Sequence, residues 1–118
     1  MSGISCHVLD TTLGRPAAGV GILLQRLPDG ASPDADSWVA LARATTNADG
    51  RATGLEAQAR RELGRHRVTF ETEEYFRRTG QVLFYPRVQV EFIVGSPSDN
   101  YHVPLLLSPF GYSTYRGS

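Results

Sequence analysis

Lysine is missing from this chain of 118 residues, and all 12 of its basic residues are arginine. Without a side-chain amine, Schiff-base and lysine-nucleophile chemistry are excluded. Net charge is missing as well, since 12 acidic residues balance the arginines. Such a balance gives none of the electrostatic footprint of a nucleic-acid binder or of a protein held on an anionic membrane. Cysteine is reduced to Cys6, which rules out an internal disulfide and fits a reducing compartment. No apolar run reaches the length of a membrane span, and the N-terminal residues lack the charged and apolar regions of a signal peptide. The expectation is a cytoplasmic protein of one domain, residues 1–118, with a core of modest size.

What is present reads as β-structure. Ile4, Cys6 and Val8 alternate with Ser5, His7 and Leu9, the period of a half-buried strand. Turn residues Gly14-Arg15-Pro16 lead to a second strand over about Val20 to Leu27, and a polar loop follows from Pro28 to Ser37. Trp38 to Thr46 reads as a third strand, closed by the turn Asn47-Ala48-Asp49-Gly50. Leu55 to Leu63 has helical composition but is too short and glycine-flanked to commit to a helix. After a strand over His66 to Thr72, Glu73 to Thr79 predicts one or two helical turns. Acidic residues come early and Arg77 and Arg78 late, as the helix dipole prefers, and Gly80 is a stop. Arg87 to Val94, Tyr101 to Leu107 and Tyr112 to Gly117 complete the strands. Seven or eight short strands with one short helix indicate an all-β sandwich.

Strand alternation turns His7 away from Ile4, Cys6 and Val8, and turns His102 away from Tyr101, Val103 and Leu105. Taken singly, each is a histidine on a solvated sheet face, and Arg51 is a surface arginine after a tight turn. His66, between Arg65 and Arg67, reads as a solvated surface residue. Tyr75-Phe76 reads as core packing and Cys6 as a small buried hydrophobe. No motif surrounds Ser108 or Ser113, so there are no grounds for a serine-hydrolase triad.

Three strings change the weight of these residues. The closing segment His102-Val103-Pro104-Leu105-Leu106-Leu107-Ser108-Pro109-Phe110-Gly111-Tyr112-Ser113-Thr114-Tyr115-Arg116-Gly117-Ser118 closely resembles the C-terminal signature of the 5-hydroxyisourate hydrolases, also called transthyretin-related proteins. Thr46-Asn47-Ala48-Asp49-Gly50-Arg51 resembles that family's second signature. Cys6-His7-Val8-Leu9-Asp10 with Gly14-Arg15-Pro16-Ala17 resembles the first. They stand in the family's order and span nearly the whole chain.

The resemblance implies a transthyretin-like sandwich of two four-stranded sheets. It further implies a homotetramer built as a dimer of dimers, with a channel between the dimers lined by the outer face of one sheet. Transthyretin carriers lack the histidines corresponding to His7 and His102, have an acidic residue corresponding to Arg51 and lack the Tyr-Arg-Gly-Ser ending. All these positions are enzyme-like here, so a carrier of small aromatic ligands is the alternative and not the main expectation. Many family members have a histidine corresponding to Asn100 and some bind zinc. With His7 and His102 alone, a tetrahedral site is short of ligands. The expectation is therefore no required metal and no cofactor, with adventitious zinc on His7, His102 and the Ser118 terminus the remaining option.

The family's reaction hydrolyses the N1–C6 amide bond of 5-hydroxyisourate, giving 2-oxo-4-hydroxy-4-carboxy-5-ureidoimidazoline on the path from urate to allantoin. It needs an activated water, a stabilised oxyanion and a proton for the leaving nitrogen. Carried over to this chain, the catalytic set is His7, Arg51 and His102. Substrate contacts are expected from His7, Arg51, Tyr115, Arg116, Gly117 and Ser118. His7 is assigned as base and His102 as substrate holder or proton relay, roles that could be exchanged. Arg51 would anchor the heterocycle and keep a neighbouring imidazole neutral.

Overall fold

The structure is a computed structural model and describes residues 3–53, 55 and 63–118. Among the described residues nine strands and one helix follow in order: β1 Ile4–Asp10, β2 Arg15–Pro16, β3 Gly21–Arg26, β4 Val39–Thr45, β5 Arg51–Ala52, β6 Gly64–Glu71, α1 Glu73–Arg78, β7 Val88–Val94, β8 Tyr101–Ser108 and β9 Gly111–Thr114. The stretch Leu55 to Leu63, apart from its two end residues, lies outside the described residues.

Two sheets face each other. One runs β2-β1-β8-β9, with β5 also paired to β1, and the other runs β4-β3-β6-β7. The sandwich expectation holds. The count of four strands in each sheet is exceeded in the first because β5 adds a two-residue rung to β1. Alternation places the core as expected. Ile4, Cys6 and Val8 of β1 and Tyr101, Val103, Leu105 and Leu107 of β8 are buried, together with Ile22, Leu24, Val68 and Phe70 from the opposite sheet. Each such large apolar side chain removed from water is worth about 1.5–3 kcal/mol.

Helix α1 keeps its acidic first turn and basic last turn and buries Tyr75 and Phe76, the core role expected of them. It is tied to the first sheet through the phenol of Tyr75, which donates to Asp10 Oδ2 at 2.6 Å. The Asp10 carboxylate, only 2% exposed, also accepts from Gln81 Nε2 and from the backbone N–H groups of Thr12 and Leu13. Burial works to raise its pKa, but these donors outweigh burial and hold it below the ordinary carboxylate value. Burial and the Asp10 bond together push the Tyr75 phenol up to about 12.

His66 corrects an expectation. It is 0% exposed, paired across β6–β7 with Phe92, and its ring lies 5.7 Å from the Phe92 ring. It shares strand parity with Val68 and Phe70, and parity decided its side of the sheet despite the flanking arginines.

The last strand is shorter than Tyr112 to Gly117 suggested, and Pro104 supplies a physical reason. Proline has no N–H to give to the ladder, and the Thr114 hydroxyl takes the Pro104 carbonyl at 2.7 Å. The main chain leaves the sheet after Thr114 and returns in the same register at Gly117, whose N–H donates to the His102 carbonyl at 2.9 Å.

Candidate active site

The outward face of the first sheet gathers the candidate residues. In the parallel β1–β8 pairing Ser5 lies beside His102 and His7 beside Pro104; in the antiparallel β1–β5 pairing His7 lies opposite Arg51. His7 and His102 are therefore diagonal neighbours on one face, a spacing at which side chains interact. Their ring centres are 6.4 Å apart, tilted by 34°.

Each ring has one nitrogen committed. His7 Nε2 lies 2.9 Å from the carbonyl oxygen of Asp49. A carbonyl only accepts, so Nε2 carries the proton and the lone pair of the neutral ring resides on Nδ1. His102 Nδ1 lies 2.8 Å from Ser5 Oγ, which leaves Nε2 for other chemistry. The His102 pKa is held below the ordinary histidine value, first by burial, then by the positive charge of Arg51 and by His7, against a hydrogen bond to the Ser5 backbone that favours the charged form. At neutral pH this imidazole is uncharged and able to accept a proton.

The turn that presents Arg51 is organised by Asn47. Its Oδ1 accepts from the N–H groups of Asp49 and Arg51, an Asx arrangement that locks the chain locally. Gly50 closes the turn with φ of +74° and packs against the Val8 carbonyl so tightly that a Cβ there would collide with it. One short turn thus fixes both the Asp49 carbonyl that holds His7 and the strand carrying Arg51.

The C-terminal residues divide. Gly117 lies directly against the His102 ring: a Cβ built on it would sit 2.5 Å from His102 Cδ2. The Arg116 guanidinium turns to the loop before β8, where it donates to the Asn100 carbonyl at 3.1 Å, lies 3.8 Å from Asp99 Oδ2 and covers the Tyr101 ring at 4.7 Å. Tyr115 and Ser118 are exposed. The structure brings together His7, Arg51, His102 and Gly117, and sets Arg116 to anchor the closing segment.

Sequence reasoning passed over Ser5 and the Asp49 carbonyl as orienting groups. Ser5 was detectable, since alternation puts it on the His7 face. The carbonyl was not, because every residue has one. Cys6 faces inward and is buried, which pushes its thiol up to about 12 and leaves it inert. Among the described residues no three His, Cys, Asp or Glu side chains gather closely enough to hold a metal ion.

A family model described as the HIUase/Transthyretin family matches residues 4–117. The chain is similar to the 5-hydroxyisourate hydrolase of Mus musculus, 42% identical over 117 residues that cover 99% of this chain and 96% of the relative. Among solved structures it resembles the Klebsiella pneumoniae 5-hydroxyisourate hydrolase, with a TM-score of 0.81, 40% identity and full coverage of both chains. It also resembles transthyretin from Sparus aurata, with a TM-score of 0.83, 30% identity and coverage of 99% of this chain and 97% of the other. The two backbones match almost equally well, so fold alone does not separate enzyme from carrier. Sequence identity does, at 40–42% to the hydrolases against 30% to the transthyretin.

Proposed function

The chain belongs to the HIUase/transthyretin family, and we propose that it hydrolyses 5-hydroxyisourate on the outward face of its first sheet. The carrying observation is the imidazole pair, 6.4 Å apart beside Arg51, with each ring oriented by its own hydrogen bond. A passive pocket for an aromatic ligand has no use for two oriented, proton-accepting rings next to a cation.

In this reading a water is held between the imidazoles, a gap spanned by two hydrogen bonds of ~2.8 Å each. His7 takes a proton from it through Nδ1, and the oxygen adds to C6 of the substrate. Arg51 binds the heterocycle and offsets the negative charge developing on the C6 oxygen. The N1–C6 bond then breaks, N1 receives a proton relayed through His102, and C6 becomes a carboxylate with release of the second proton of the water. Tyr115, Gly117 and Ser118 border the pocket, Gly117 by bracing His102 and the other two by offering exposed hydroxyls. Arg116 contributes by fixing the segment to Asn100 and Asp99.

We further infer a single domain over residues 1–118, acting as a homotetramer in the cytoplasm, with the outward face of the first sheet lining a channel between dimers. The lone buried thiol is in keeping with a reducing compartment, and among the described residues no helix is long and apolar enough to cross a membrane. Light scattering of the purified protein would read the assembly directly; a monomer would discard the tetramer.

Generating 5-hydroxyisourate in place with urate oxidase, and following its absorbance decay, tests the activity. Acceleration beyond the spontaneous rate is expected. His7→Ala, Arg51→Ala and His102→Ala should each lower turnover by roughly 10²–10⁴-fold while the circular dichroism is kept. Saturable binding of an aromatic ligand with no acceleration would establish the carrier reading instead.

A further inference from the structure

Half of the arginines among the described residues have a carboxylate partner. Arg26, Arg65, Arg77, Arg87 and Arg116 each lie within ion-pair distance of one. Arg15 on β2 and Arg78 at the end of α1 have none among the described residues. Both line a cavity of about 290 Å³, together with Ala18, Ala48, Tyr75 and Thr79.

Arg78 is held in place rather than free on the surface. Its Nη2 donates to the Ala18 carbonyl at 2.8 Å, and its Cζ lies 5.4 Å from the centre of the Tyr75 ring. Gly19 lets the guanidinium lie flat on the backbone, because a Cβ there would stand 2.7 Å from Nη2. That leaves its other N–H groups without an acceptor among the described residues. Arg15 is exposed and makes no hydrogen bond or ion pair through its side chain among the described residues. Both guanidiniums are close enough to the Tyr75 phenol to oppose the rise that burial and Asp10 cause in its pKa. Among the described residues Asp10 forms no ion pair with either guanidinium; its oxygens accept from Tyr75, Gln81, Thr12 and Leu13.

We propose that this cavity is an anion site, separate from the imidazole pair, that takes a phosphate-sized oxyanion between Arg15 and Arg78. Planar guanidiniums match the oxygens of such an ion in bidentate fashion, and one preorganised partner lowers the cost of ordering on binding. The site backs onto the proposed reaction centre. Ala48 lines the cavity, and the carbonyl of the next residue, Asp49, accepts from His7 Nε2. One peptide unit separates the anion from the bond that orients His7.

Titrating inorganic phosphate into the isotope-labelled full chain at low ionic strength, without substrate, tests the site independently of the hydrolysis reading. Saturable shifts are expected at Ala48, Asp49 and the Arg78 side chain. Chloride at matched ionic strength should give none. Arg15→Ala and Arg78→Ala should each weaken phosphate binding roughly tenfold or more, whereas Arg87→Ala on β7's approach should leave it unchanged. A parallel titration with glycerol 3-phosphate distinguishes a free ion, where the ester binds much more weakly, from the phosphoryl group of a larger metabolite, where it binds as well; either supports the site. Equal, non-saturating shifts with chloride, or phosphate binding untouched by Arg15→Ala, would overturn it. If Arg78→Ala loses its fold, Arg15→Ala decides alone, since the Arg15 side chain ties no element in place.

Discussion

Gly117→Ala is the sharpest perturbation the structure offers, because one methyl group would act on one ring. The added carbon would lie 2.5 Å from Cδ2, 3.2 Å from Cγ and 3.3 Å from Cβ of His102. Ordinary carbon contacts begin near ~3.5 Å, so the imidazole must retreat by about 1 Å or the terminal segment must lift from β8. The φ of Gly117 lies outside the left-handed region, so alanine adds no backbone strain and the effect is steric. Either response lengthens the 2.8 Å Ser5–His102 bond or removes the 2.9 Å bond from Gly117 to the His102 carbonyl. A misplacement of ~1 Å at a reacting group costs on the order of 10²-fold in rate. The bridge is a single isolated pairing and Gly117 is not part of the core, so stability should fall by no more than about 1 kcal/mol. Single-turnover decay of 5-hydroxyisourate and a thermal melt, run in parallel, measure the two quantities. Gly111→Ala is the control, since a Cβ there meets only Ser108 Oγ at 3.8 Å. A Gly117→Ala enzyme with near-normal turnover would refute the claim that this glycine holds the imidazole in its working position.

Arg51→Gln removes a charge that depresses His102, so the His102 pKa should rise toward ~6.5 and the acid limb of the rate profile should move up with it. The stability effect has a definite sign: the folded state binds a proton to His102 less readily than the unfolded chain, so stability should fall as pH drops below ~6.5 and level off once the folded ring is protonated. A histidine NMR titration of wild type and Arg51→Gln checks both, and an unchanged His102 curve would contradict the assignment. Ser5→Ala should lower turnover, with Ser5→Thr restoring it; a fully active Ser5→Ala would dismiss the orienting bond. Tyr75→Phe should destabilise the fold by about 1.5–3 kcal/mol, the worth of a hydrogen bond to a charged group, in chemical denaturation at neutral pH. Its deficit against wild type should shrink as pH falls through the low Asp10 pKa, because protonation removes the charge the phenol serves.

The part of the site that was legible in the residues is the part governed by local geometry. His7 and His102 turn outward because successive side chains of any strand alternate, and Ile4, Cys6, Val8, Tyr101 and Val103 mark the inward side. The same rule would have buried His66 had its parity with Val68 and Phe70 been weighed above its charged neighbours. Helix α1 was legible from its charge order and from Gly80, and the turn at Asn47–Gly50 from its residues.

Other features depend on contacts that no local pattern encodes. That His7 and His102 are neighbours follows from the parallel pairing of β1 with β8, whose register brings Ser5 beside His102. The proton on His7 Nε2 follows from the Asp49 carbonyl, delivered by a turn distant in sequence. The end of β9 at Thr114 follows from the missing N–H of Pro104 on the facing strand. Residue types and backbone periodicity determined by themselves which side chains face out, how charge is distributed and which chemistry the chain lacks. Which outward side chains meet, which nitrogen of each ring is occupied and which glycine braces His102 were decided by tertiary structure alone, because long-range strand register sets those distances and a one-residue slip would undo each of them.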